Sequence, residues 1–157
     1  MFYNKVMNHL HQYKNLGIMA VLSFVSMYIL MYAMVDSFSN VFGNHNQFYM
    51  AGLMTSPMIL IELIVMRMMY PNKRLNLWIL GVSLVALVFF WTGIRQQFAI
   101  NDEQFLKSMI PHHAGAILMC NEAKLEDTEI KKLCQNILSG QQTEIDFMKG
   151  KLGKLNQ

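Results

Sequence analysis

The residues best suited to chemistry stand in Met109-Ile110-Pro111-His112-His113, where two of the five histidines lie beside a thioether. Imidazole with thioether is a soft donor set that favours copper, above all Cu(I), whereas hard carboxylate sites favour Mg, Ca and Mn. A zinc site more often takes Cys or a third His. On a helix, Met109 is one turn from His112 and His113, so its sulfur and one imidazole can meet on a single ion. Adjacent His side chains point about 100° apart on a helix. Both serve one ion only if Pro111 kinks the helix and reorients them, or if one faces a second subunit. Pro111 also lacks the backbone donor that the Lys107 carbonyl would otherwise meet. Met119 is roughly 10 Å along the axis from His112, on the same face but too far for the same ion. Met148, on the following helix, is the better partner. The opposing reading is a hydrogen-bonded His pair in a helix seam.

Two helices must position this set. Asn101 is a fitting N-cap, with Gln104 three residues on as in a capping box and Asp102 and Glu103 in the first turn. Phe105, Met109, His112, Ala116, Met119 and Ala123 then recur at heptad-like spacing, which predicts a buried seam. A break follows at Lys124–Asp127, where Asp127 can cap a second helix. Its seam reads Ile130, Cys134, Ile137, Gln141, Glu144 or Ile145, Met148 and Leu152, with Gly150 and Gly153 suiting a fraying end. The expected arrangement is an antiparallel helical hairpin. With the turn near Asp127, Cys120 faces Cys134, His113 faces Gln141, His112 faces Gln142, and Gly115 meets Ser139 and Gly140 in close backbone approach. About 50 residues are too few for a sizeable core. Two hairpins from two subunits would make a four-helix bundle, so a homodimer or higher homo-oligomer is expected, unless the preceding helices supply the missing contacts.

The rest of the 157-residue chain has a different character. It is 54% hydrophobic with 15 Met, and of its 23 formal charges 2 lie in residues 1–15, 5 in 16–94 and 16 in 95–157. Three apolar runs, Leu16–Val35, Phe48 to about Tyr70 and Leu75–Ile94, each have the roughly 20 residues needed to cross a hydrocarbon core. The first exceeds the apolar stretch of a signal peptide and no A-x-A-like site follows it, so it reads as a retained helix. Lys5 and Lys14 flank it, Lys73 and Arg74 stand in the second loop beside Arg67, and Asp36–Gln47 holds no Lys or Arg. The positive-inside rule then places the N-terminus and the second loop in the cytoplasm and residues 95–157 outside, which is periplasmic for a bacterial inner membrane. Arg95 is a lone counter-signal. Met27, Met31 and Met34, and likewise Met50, Met54 and Met58, fall at helical spacing near His45. They read either as flexible packing or as a soft surface for a monovalent ion. Glu62, expected near mid-membrane, should face the bundle interior, either accepting hydrogen bonds from a neighbouring Ser or Tyr or marking an ion or proton path.

The charge split excludes a uniform soluble globule and a disordered tail. Two Cys cannot staple a disulfide-dense scaffold. A net charge of +3, scattered along the chain, gives no nucleic-acid footprint. No Ser/His/Asp set, phosphate loop or carboxylate pair stands near the histidines, so no enzyme activity is expected.

Residues Phe105 to Met119, read as FLKSMIPHHAGAILM, closely resemble the signature of the domain of unknown function 305 (DUF305) family, and Gln141-Gln142-x-Glu144-Ile145-x-x-Met148 looks like its second-helix motif. The resemblance covers about residues 101–150. It implies a small, exported, ferritin-like helical domain and copper or silver binding, with the family's His pair and Met residues mapping onto His112, His113, Met109, Met119 and Met148. This chain departs from larger members in carrying one hairpin and a three-helix anchor, which leaves metal stoichiometry open. For Cys120 and Cys134, three states stand open: a disulfide locking the helices, a second soft site with Met119, or two inert thiols. The sequence as a whole reads as all-α, with a cytoplasmic flank (1–15), three transmembrane helices in the lipid bilayer (16–94) and an outer hairpin (95–157), half of a ferritin-like four-helix bundle. The expected role is copper binding in metal homeostasis or tolerance. The competing readings are a structural or sensory protein whose hairpin docks a partner, and a metal-dependent redox enzyme.

Overall fold

Long apolar runs with few breakers fold as helices, and the punctuation falls at Asp36–Asn44, Pro71–Asn72, Gln96–Asn101 and Lys124–Asp127. The computed structural model describes residues 2–155, with side chains described from residue 11 onward. Helix α1 spans Phe2–Leu30, α2 His45–Val65, α3 Lys73–Arg95, α4 Asp102–Glu122 and α5 Thr128–Leu155. Two 3₁₀ turns, Met31–Met34 and Phe38–Asn40, lie between α1 and α2. The fold is all-α, with no strand among the described residues. Two compact units form, one running up to Leu30 together with Phe48–Phe98, the other comprising Met31–Gln47 and the chain from Ala99 onward.

In the first unit, segments His11–Met34, His45–Val65 and Lys73–Arg95 are each long and apolar enough to cross a membrane. Leu16, Leu63 and Tyr70 are buried together, with Tyr13, Met19, Ile59, Ile79 and Leu80 packed around them. Aromatic rings join the helices elsewhere: Phe24 meets Phe48 edge-on at 5.2 Å, and Phe48 meets Phe90 at 6.0 Å. The Phe90 ring lies where a Cβ on Gly52 would stand, so the absence of a side chain there lets the ring seat against α2. Pro57 interrupts the α2 ladder, and the Thr55 and Ser56 hydroxyls donate back to the Ala51 and Gly52 carbonyls, each at 2.8 Å. α1 ends at Leu30, so Met31 and Met34 sit in a 3₁₀ turn and do not continue the helical stripe from Met27. Met50 and Met54 are exposed along α2.

α2 stops at Val65, which places Glu62 in the final turn, about 5 Å from the helix end. It is half-buried and accepts a hydrogen bond from the Tyr70 hydroxyl at 3.2 Å. A polar knot surrounds it. The Tyr13 hydroxyl donates to Asn76 Oδ1 at 2.7 Å, and Asn76 Nδ2 donates to the Tyr70 carbonyl at 2.8 Å. Burial, and next the Glu62 charge, hold the Tyr70 phenol above its usual range, which keeps it a donor.

The second unit is built on α4 and α5. The Asn101 side chain accepts from Gln104 N at 2.9 Å, as an N-cap should. Gln104 does not return the bond. Its Oε1 accepts instead from His45 N at 3.0 Å, capping the start of α2. Asp127 Oδ1 accepts from Glu129 N and Ile130 N at 2.8 and 3.0 Å, opening α5. Replacing Asp127 with Ala leaves both donors without that partner and is expected to cost about 1 kcal/mol, read as faster amide exchange over the first turns of α5. The helix does not fray at its glycines. Leu152 is buried, and α5 continues through Gly150 and Gly153 to Leu155.

Candidate metal centre

α4 presents apolar residues at adjacent positions (Phe105-Leu106, Met109-Ile110, Leu118-Met119), so two seams one residue apart both satisfy a heptad count. The inward one runs through Leu106, Ile110, His113, Ile117 and Cys120, with Ile110, Ile117 and the neighbouring Ala114 buried and the others half-buried, whereas Phe105, His112, Met119 and Ala123 of the expected seam are exposed and its Met109 and Ala116 half-buried. Ile110 and Ile145 have no exposed surface, and they share a core with Ala114, Ile117, Met148 and Leu152. What decides between the seams is tertiary. Val35 and Phe42 from the first loop, with Leu106, Met109 and Leu138, close over that core. Rotation by one residue, about 100° on a helix, turns His112 outward and His113 inward.

Sequence reasoning missed the first loop as part of this unit. Asn44 is buried, accepts from Gln47 N at 2.8 Å to cap α2, and donates through Nδ2 to the Lys107 carbonyl at 3.4 Å. This is the carbonyl that Pro111 leaves without a helical donor. The signal was legible as an Asn four residues before a helix-length apolar run, but not its target 63 residues away. Gly115 also faces this loop. A Cβ there would lie 3.4 Å from the Met34 carbonyl, while Gly140 is exposed with open space around it. The close approach expected between Gly115 and Gly140 is absent, because the first loop takes the place beside Gly115.

His113 forms the centre of the candidate site. Its side chain is 13% exposed, and its Nδ1 lies 3.0 Å from Glu144 Oε2. The alignment is not that of a hydrogen bond, so Nδ1 is a buried nitrogen without a hydrogen-bond partner, and Gln141 Oε1 is a second buried polar atom in the same condition. Unpaired buried polar atoms cost roughly 1–3 kcal/mol each and call for an explanation. The partner of His113 is thus Glu144, about one turn along α5 from the Gln141 expected from register. The His112 ring centroid is 6.1 Å from that of His113 at an interplanar angle of 60°, and His112 is exposed. Met109 precedes His113 by one helical turn, half-buried against the core, and Met148 follows Glu144 by one turn, buried at 7% exposure. Met119 is exposed at 55% and lies away from this group.

Among the described residues, no three His, Cys, Asp or Glu side chains come together as a ligand set. Met109 and Met148 both pack in the core beside the helical turns that carry His113 and Glu144, and thioether with imidazole is a donor chemistry that fits a soft monovalent ion. Cys120 and Cys134 are not free for such a role. They are joined by a disulfide, with Cα atoms 5.4 Å apart.

Burial, the largest influence, holds the His113 imidazole below its ordinary range; the Glu144 carboxylate opposes this and His112 adds to it. The folded state therefore takes up its proton at lower pH than the unfolded chain. The contribution is fully present above the unfolded value, about 6.5, and is lost as pH falls through the folded value. The α4–α5 pair is expected to unfold more readily at pH 5 than at pH 7.5, as read by amide exchange. His113→Gln should flatten that dependence.

Residues 93–152 match the family described as Domain of unknown function (DUF305). A relative, an uncharacterized protein of Acanthamoeba polyphaga mimivirus, is 33% identical over 134 residues, covering 83% of this chain and 86% of its own length. An alignment of that length runs beyond the α4–α5 region into the preceding helices. No solved structure matches the chain. On the matched domain and a relative aligned over most of both chains, this protein belongs to the DUF305 family.

Proposed function

We propose that the protein is a membrane-anchored copper-binding protein, taking Cu(I) and also Ag(I), with a binding and not a catalytic role in metal homeostasis or tolerance. In this reading α4 and α5 form an outer antiparallel hairpin, half of a ferritin-like four-helix bundle, periplasmic at a bacterial inner membrane with the N-terminus cytoplasmic. The observation that carries it is the buried His113 Nδ1, which lies 3.0 Å from Glu144 Oε2 but makes no hydrogen bond, with Met109 one turn before His113 on α4 and Met148 one turn after Glu144 on α5. His113, Met109 and Met148 would hold the ion, and a bound copper would supply soft-ligand capture and release. Glu144 Oε2, 3.0 Å from His113 Nδ1, would give up that place to the ion. His112 and Met119 on α4, and Ile130 and Leu133 on α5, are all exposed, an outer stripe in this reading. A second copy covering that stripe would complete the bundle and bring further soft donors.

The stripe also supports a second reading, in which the hairpin docks a partner protein without metal. Competition titration of the full chain in detergent, with Cu(I), Ag(I) and Zn(II), separates the two. Tight Cu(I) and Ag(I) binding with weak Zn(II) supports the metal reading. Absence of binding by the folded chain removes it and leaves docking.

A further inference from the structure

The start of α4 and the end of α5 enclose a groove of about 460 Å³ whose walls include Asp102, Phe105, Phe147, Lys151, Lys154 and Leu155. Phe105, Phe147 and Leu155 are all exposed. Lys151 Nζ stands 5.6 Å over the Phe147 ring, and Lys154 is exposed at the rim. No ion pair of either lysine occurs among the described residues, whereas Lys107 is paired with Glu103. Aromatic and aliphatic side chains bordered by cations are the composition of a helix end that lies in a lipid interface.

Chain length restricts where this groove can be. α3 ends at Arg95 and α4 begins at Asp102, and the six residues between span at most about 20 Å even when fully extended. A groove that includes Asp102 therefore stays within reach of the membrane that α3 crosses. We infer that this groove docks an anionic phospholipid of the anchoring bilayer, with the headgroup between Lys151 and Lys154 and an acyl chain against Phe105, Phe147 and Leu155. Asp102 disfavours a second phosphate, so the groove takes one headgroup and not a cluster. The inference rests on the membrane reading of α1–α3 and is independent of the metal site.

The test is amide exchange of the full chain in nanodiscs of phosphatidylcholine alone and with phosphatidylglycerol. Exchange over residues 147–155 should slow about 25-fold in the anionic discs, since each of the two lysines near such a surface contributes about fivefold. Lys151→Gln with Lys154→Gln should abolish the difference while exchange around His113 stays unchanged. A chain that stays inserted but exchanges alike in both discs overturns the docking site. So does a difference that survives the double variant. A chain stripped from membranes by carbonate overturns the membrane reading and the docking site with it.

Discussion

His113→Ala should lower the Cu(I) affinity of the full chain by about 100-fold or more, because residues that merely support a ligand cost 10–100-fold when removed. His112→Ala should cost less than about tenfold. The contrast follows from the one-residue rotation of α4: His113 is 13% exposed at the centre of the site, and His112 is on the outside. Competition against a Cu(I) chelator measures both, with far-ultraviolet circular dichroism showing that each variant keeps its helices. Equal losses for the two variants would contradict the assignment of His113 as the interior ligand.

Ile145→Ala is the stability counterpart. The side chain has no exposed surface and packs between Ile110, Ala114, Ile117 and Met148. Removing its outer carbons leaves a cavity that flanking backbone cannot readily fill, at a cost of about 2–5 kcal/mol. Ile110→Ala should behave alike. Phe105→Ala, on the seam expected from heptad counting but exposed, should cost under about 1 kcal/mol. The disulfide between Cys120 and Cys134, closing a segment of sequence separation 14, adds about 3 kcal/mol in the loop-entropy account, so the series should be run oxidised. Amide exchange over 102–155 reads each variant without interference from α1–α3. A Phe105→Ala cost equal to that of Ile110→Ala would restore the other seam.

The sequence conveyed the all-α class, the break at Lys124–Asp127, both caps at Asn101 and Asp127, and the three spans long enough for a membrane, because each is a local signal. It did not convey the seam of α4. There, Phe105-Leu106 and Met109-Ile110 present apolar side chains on both candidate faces, and only the packing of Val35 and Phe42 decides between them. The first loop also accounts for two other departures: Gly115 gives room to it and not to Gly140, and Gln104 caps the start of α2 and not its own helix. The carbonyl freed by Pro111 was legible, but not that Asn44 meets it. α2 ends at Val65, before the apolar run does, so the run alone did not give the helix end near which Glu62 stands. The His/Met donor set was visible in the motif itself. Which histidine faces inward depends on rotation, and rotation is a tertiary property.

The most direct measurement is copper K-edge absorption on the Cu(I)-loaded full chain in detergent, beside the Met109→Leu/Met148→Leu variant. The prediction is a first shell of mixed sulfur and nitrogen in the native chain, with its sulfur scattering lost in the variant. A shell of nitrogen and oxygen alone, or sulfur scattering unchanged by the variant, would contradict a copper site built from His113 and these two thioethers.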